Sequence, residues 1–234
     1  MAEPKEPGYL SVEYHDFLNI VSTRKDYNAR FNKSSGNKIL GDASPFYLHS
    51  PSVPREAAKI NPKMKFVVVL RQPVERAYSH HNHLVNLGHL PNVPFVEYFN
   101  MVMGECSGRI PEPLQSFEFA VGKNAPIYHS FYAAALRMFF DVFPRERFLI
   151  RVYEEYQSRF EVLVREIHSF LEVSTETEMN IGTNHNVTSM PRSRLLFNTL
   201  RSNNSYKKAL KFLLPNSLTR YAGNLIDKIN RRPP

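Results

Sequence analysis

Apolar and polar positions along the chain follow two different rhythms. The nearly unbroken apolar runs Phe66 to Leu70 and Phe148 to Val152 have the length and residue types of strands buried in a parallel sheet. Each is followed by a stretch of helical period. Between Pro73 and Leu87, residues Val74, Ala77, Tyr78, His81, Leu84 and Val85 fall three and four apart, which predicts a helix of about four turns, packed on the sheet and stopped by Gly88. Between Ser158 and Leu171, Phe160, Leu163, Val164, Ile167 and Leu171 make a second apolar stripe. Strand, helix, strand, helix implies parallel pairing with right-handed crossovers, and hence an α/β fold.

The remaining segments give weaker signals. Ser52 as a cap, with Pro54 and Glu56 in the first turn, predicts a helix to about Ile60, where Asn61-Pro62 ends it. Helices are also expected over Val12 to Ile20, Pro94 to Met103 and Tyr128 to Phe143, and an irregular polar stretch over Arg24 to Lys38. Ile39-Leu40 qualifies as a strand only if it is fully buried. Residues 104 to 127 read as a long loop rich in Gly and Pro, a length that in compact domains is usually functional.

Composition narrows the class. With 234 residues and 42% hydrophobic content, one α/β domain with a substantial core is expected. The single cysteine, Cys106, excludes an internal disulfide, and with no basic neighbour before Arg109 it lacks the setting of a reactive thiol. No apolar run reaches the length of a membrane span and none opens the chain as a leader would. A cytoplasmic protein is the simplest reading. The sequons at Asn32, Asn186 and Asn203 would instead suit the Golgi lumen, given an upstream anchor.

The net charge of +8 is concentrated at one end. From Arg192 onward ten lysines and arginines face one acid, Asp227, which leaves twenty bases against twenty-one acids in the first 191 residues. A near-neutral body argues against a nucleic-acid binder, whereas a basic end suits an anion-binding flap, a polyanion contact or a solvated face. His80, His81 and His83 lack the spacing of a helical zinc pair, so no metal is expected.

The first strand-to-helix junction carries the chemistry. Arg71 stands at the end of the Phe66–Leu70 run, with Pro73 and Glu75 placed for the first turn of a helix and Ser79 two turns further on. The first N–H groups of a helix have no internal partner and favour an anion, and an arginine fork and a hydroxyl beside them suit phosphate.

This Arg-x-Pro-x-x-Arg-x-x-Ser pattern resembles the 3′-phosphate-binding element of sulfotransferases that use 3′-phosphoadenosine 5′-phosphosulfate (PAPS). Gly41-Asp42-Ala43-Ser44-Pro45-Phe46-Tyr47 resembles the Gly-Glu-x-(Ser/Thr)-Pro-x-Tyr segment of bacterial and heparan-sulfate-type members. Lys5-Glu6-Pro7-Gly8-Tyr9 resembles their Lys-Glu-Pro-x-Phe, Pro144 to Glu154 their later strand, and Phe170-Leu171 the end of the next helix. The likeness covers roughly residues 5 to 192, and several pieces in the family's order outweigh any one motif.

The resemblance implies a P-loop-NTPase-like parallel sheet flanked by helices. It also implies sulfuryl transfer from PAPS to a hydroxyl or amine of a carbohydrate or small molecule, possible polysaccharide acceptors included. Arg71 and Ser79 would hold the 3′-phosphate. Ser130 would line the nucleotide pocket or pack a helix start, and Arg192 and Arg194, after Asn184-His185-Asn186, would sit on the loop that folds over the nucleotide. Glu6 matches the family's general base, with Asp42 as second choice. Arg76 reads as a ligand or a structural partner alike.

Two departures bear on activity. Ala43 replaces a lysine of the animal heparan-sulfate enzymes, and the family's Lys-x-Gly-Thr-Thr phosphosulfate loop does not occur. The expectation is therefore a sulfotransferase-like domain over 1–191, with a basic, partly helical segment over 192–234, incomplete at both ends and weak or inactive by itself. A fragment, an alternative start and a degenerate paralogue all remain open. The alternative function is a non-catalytic nucleotide- or polyanion-binding protein.

Overall fold

The structure, a computed structural model, describes residues 2, 5–16, 18, 20–31, 39–105 and 122–174. The chain divides into two units, residues 1–78 with 95–179, and residues 79–94 with 180–234. Cys106, the three sequons, Arg192, Arg194, the basic tail and most of the 104–127 loop lie outside the described residues.

The first unit is built on two strands, β1 (Phe66–Leu70) and β2 (Phe148–Val152). They pair in parallel from Phe66 against Phe148 to Leu70 against Val152, as the two apolar runs predict. The same unit holds α1 (Arg24–Ala29), α2 (Val53–Ile60), the start of α3 (Pro73–Leu87), α4 (Phe95–Glu105), α5 (Ala125–Tyr128), α6 (Tyr132–Phe140) and α7 (Phe160–Leu171). A parallel sheet flanked by helices is the expected α/β class. Its core is aromatic and lies at the start of the strands: the Phe66 ring is 4.9 Å from Phe148 and 4.7 Å from Phe143. Leu10, Val53, Ala57 and Phe139 close the same cluster. Such buried aromatic area, with edge contacts, is the main stabilising term.

Several expectations change. Arg24 to Lys38 is not wholly irregular, because Thr23 accepts the Asp26 N–H at 3.1 Å and starts α1. Among the described residues of Val12 to Ile20 only the single turn Val12–Tyr14 is helical, and the Val21 N–H donates to the Pro7 carbonyl at 2.8 Å. Ile39 and Leu40 are 53% and 54% exposed, so the burial that would have made them a strand is lacking. Ser52 makes no side-chain cap on α2. Its hydroxyl donates to the Leu10 carbonyl instead, at 2.7 Å.

The expected helix Tyr128–Phe143 is split into α5 and α6 at Phe131, whose ψ of 64° is not helical. The break turns Ser130 toward α3, where its hydroxyl donates to the Pro73 carbonyl at 2.9 Å. The predicted stripe on α3 is also rotated: Ala77 and His81 are buried, but Val74 and Tyr78 are 61% and 47% exposed. Arg76 takes the inward place near the start of the helix. Its Nε donates to the Ser130 hydroxyl at 3.0 Å and its Nη2 to the Pro126 carbonyl. Two directed bonds to buried backbone and hydroxyl outweigh one valine's burial in fixing the helix face.

Candidate active site

Because β1 and β2 are parallel and in register, their carboxyl ends finish level, and the residues that follow emerge side by side. The crevice outside the carboxyl ends of parallel strands is where open α/β sheets bind ligands. Here Arg71-Gln72 leave β1 and Tyr153-Glu154 leave β2. The Gln72 N–H donates to Glu154 Oε1 at 2.9 Å, and the Tyr132 hydroxyl donates to the Arg71 carbonyl at 3.0 Å. The Glu75 N–H is taken by the Gln72 side chain at 2.7 Å. Part of the donor set at the helix start is therefore already taken by side chains. Pro73 has no N–H, and two neighbouring donors are already filled by side chains.

The Arg71 side chain, by contrast, is not satisfied. It is 41% exposed and lies between two carboxylates, with Nε 3.9 Å from Glu154 and Nη2 3.9 Å from Glu75. Both distances exceed a hydrogen bond, and the buried Nε has no acceptor among the described residues. Ser79 is half-buried on α3 and belongs to the second unit. Ser130 meets Arg76 and Pro73, which ties α5 to the first turn of α3. Burial lowers the Arg76 pKa to about 10, and the guanidinium is used up in structural bonds.

The two candidate carboxylates lie on neighbouring segments with different surroundings. Asp42 accepts from the Tyr47 hydroxyl at 2.5 Å and the Ser44 hydroxyl at 3.0 Å. Burial raises its pKa above the usual carboxylate value, and the neighbouring Tyr47, Ser44 and Tyr27 hydroxyls oppose that shift. The Ser44 oxygen in turn accepts the Gly8 N–H at 3.0 Å, which fastens the Lys5–Tyr9 segment to the Gly41–Tyr47 segment. Glu6 is exposed and has φ +61°. A non-glycine residue in that region is strained, and the following Pro7 disfavours it further. Gly8 has φ +67° and no room for a Cβ, so this short turn is held in an uncommon shape by its neighbours.

Tyr132, Tyr47 and Glu154 are contributors that the sequence reading did not assign. Glu154 and Tyr47 stand inside quoted motifs, but their bonds span 82 and 5 positions and only folding reveals them. Tyr132 carries no sequence signal. Among the described residues no group of His, Cys, Asp and Glu is placed to hold a metal ion, and no helix is long and apolar enough to cross a membrane.

The fold is an α/β sheet with Arg71 at one strand mouth and the Glu75 and Glu154 carboxylates beside it. Comparison is more specific: residues 7–213 match the sulfotransferase domain model, and the chain belongs to that family. The chain resembles the bifunctional heparan sulfate N-deacetylase/N-sulfotransferase 1 of Caenorhabditis elegans, at 29% identity over 82 residues, 35% of this chain and 9% of that protein. It thus spans under a tenth of this curated relative. It is also similar to the crystal structure of a sulfotransferase from Alicyclobacillus acidocaldarius, with a TM-score of 0.62 and 25% identity over 79% of this chain and 75% of the other.

Proposed function

We propose that this sulfotransferase-family domain uses PAPS as donor, holds the nucleotide's 3′-phosphate with Arg71 and Ser79, and delivers the sulfuryl group to a carbohydrate hydroxyl or amine. The observation that carries this reading is the Arg71 guanidinium, half exposed at the strand mouth with its Nε lacking an acceptor among the described residues. A phosphate oxygen would supply that acceptor in a short, charge-assisted bond. The similarity to a heparan sulfate N-sulfotransferase supports a polysaccharide amine or hydroxyl as acceptor.

In the reaction the acceptor oxygen or nitrogen attacks sulfur, the bond from sulfur to the phosphate oxygen breaks, and adenosine 3′,5′-bisphosphate leaves. The acceptor's proton goes to Glu6, exposed on a strained turn and so free to meet a substrate. Asp42, already accepting two hydroxyls, is the alternative base. Arg192 and Arg194 supply further cations toward the nucleotide. Arg71 contributes binding more than rate, because the 3′-phosphate is remote from the reacting sulfur. No Lys-x-Gly-Thr-Thr loop occurs in these 234 residues, so turnover by this chain by itself is expected to be slow.

The test is transfer of labelled sulfate from PAPS to a partly N-desulfated heparan-type polysaccharide. Glu6→Gln should cut the rate about 100-fold while nucleotide binding is unchanged. Equal rates for both chains would remove Glu6 from the mechanism. No transfer by either, with the bisphosphate still bound, would favour a non-catalytic binding protein.

A further inference from the structure

The carbonyl of Arg71 and the N–H of Gln72 are the two ends of one peptide plane. Each end is taken by a distant side chain: Tyr132, at the start of α6, donates to the carbonyl at 3.0 Å, and Glu154, just past β2, accepts from the N–H at 2.9 Å. We propose that Tyr132 and Glu154 form a two-sided grip on this peptide that sets the direction of the Arg71 fork, and that they are positioning residues for recognition of a 3′-phosphate. The inference rests on the function proposed above.

The physical argument is rotational. A trans peptide moves as a rigid unit, so fixing both its polar ends fixes ψ of Arg71 and φ of Gln72. The direction in which the arginine side chain leaves the backbone then follows. One bond alone would leave the plane free to tilt about it. The second bond comes from an independent element, 22 positions further along the chain, so the plane is held between α6 and the end of β2. Glu154 also stands 3.9 Å from Arg71 Nε, which keeps the guanidinium on the β2 side of the junction without closing a hydrogen bond to it. A donor fork held in place loses less freedom when it meets its anion, and that is where preorganisation raises affinity.

The test compares adenosine 3′,5′-bisphosphate with adenosine 5′-monophosphate, which lacks the 3′-phosphate, by NMR or calorimetric titration of the full chain. Tyr132→Phe and Glu154→Ala should each weaken the bisphosphate about fivefold and leave the monophosphate unchanged. Glu154→Gln keeps an acceptor for the Gln72 N–H and removes a charge that repels phosphate, so it should bind the bisphosphate at least as tightly as the parent chain. Equal losses for both nucleotides, no loss in either variant, or failure of Glu154→Gln to restore binding would overturn the grip. No measurable bisphosphate binding in any chain would count against it too. Arg71→Ala separates the two readings: if it does not weaken the bisphosphate, the phosphate site itself is wrong. If it does and the grip variants do not, only the grip is wrong.

Discussion

Asp42 accepts two hydroxyls from its own segment, and its replacement separates a structural role from a chemical one. Asp42→Ala leaves the hydroxyls of Ser44 and Tyr47 without this acceptor. Bonds to an ionised acceptor are worth about 1.5–3 kcal/mol each when broken singly, and less than their sum in a network. Relief of the buried carboxylate's desolvation offsets part of this, so the expected loss is about 2–4 kcal/mol. Asp42→Asn keeps a carbonyl acceptor and carries no charge, and should cost less than about 1 kcal/mol.

The pH dependence has a definite sign. Burial raises the folded-state pKa of Asp42, so its stabilising contribution is complete below the unfolded carboxylate pKa and fades as pH rises through the elevated value. Relative to Asp42→Asn, the parent chain should therefore lose stability between acid and neutral pH. Urea unfolding followed by circular dichroism at both pH values measures these differences. An Asp42→Ala chain within about 0.5 kcal/mol of the parent would refute the structural account. An Asp42→Asn chain of full stability that has lost all sulfate transfer would make Asp42 the base in place of Glu6.

Gly8→Ala places a Cβ 2.7 Å from Ile20 Cγ2 at φ +67°, and should lower stability by about 2–3 kcal/mol in the same urea assay; a neutral result would mean that the Glu6–Gly8 turn relaxes freely. Phe148→Ala empties the centre of a ring cluster in which Phe66 and Phe140 each lie 4.9 Å away, for an expected loss of about 3–5 kcal/mol. Phe148→Leu, which refills most of the volume, should cost less than about 1.5 kcal/mol, and equal losses for both would contradict the packing argument.

The two strands were legible because an apolar run of this length reads as a parallel strand and nothing competes with that signal in Phe66–Leu70 or Phe148–Val152, although Val67 and Val69 of β1 are 37% and 43% exposed among the described residues. The capping pattern at Thr23 and Asp26 was also present in the sequence, hidden by the polar character of the stretch around it. The rotation of α3 and the break before α6 were not legible. Both depend on Arg76, Ser130 and Pro73, which lie up to 57 positions apart and combine only when the sheet brings them together. At the junction the sequence marked Arg71 as the strand-end cation, but could not show that Glu154 and the Gln72 side chain fill the neighbouring backbone donors. Local motifs thus marked the strand-to-helix junction, and long-range bonds decided which of its backbone donors are filled.

The most direct test of the phosphate assignment is the ratio of dissociation constants for adenosine 5′-monophosphate and adenosine 3′,5′-bisphosphate, measured on the parent chain and on Arg71→Ala. With the phosphosulfate loop sequence absent, binding near the millimolar range, about −4 kcal/mol, is expected. The parent chain should favour the bisphosphate by about tenfold or more, and Arg71→Ala should bring the ratio to about one. An unchanged ratio in the variant would contradict the assignment of Arg71 to the 3′-phosphate.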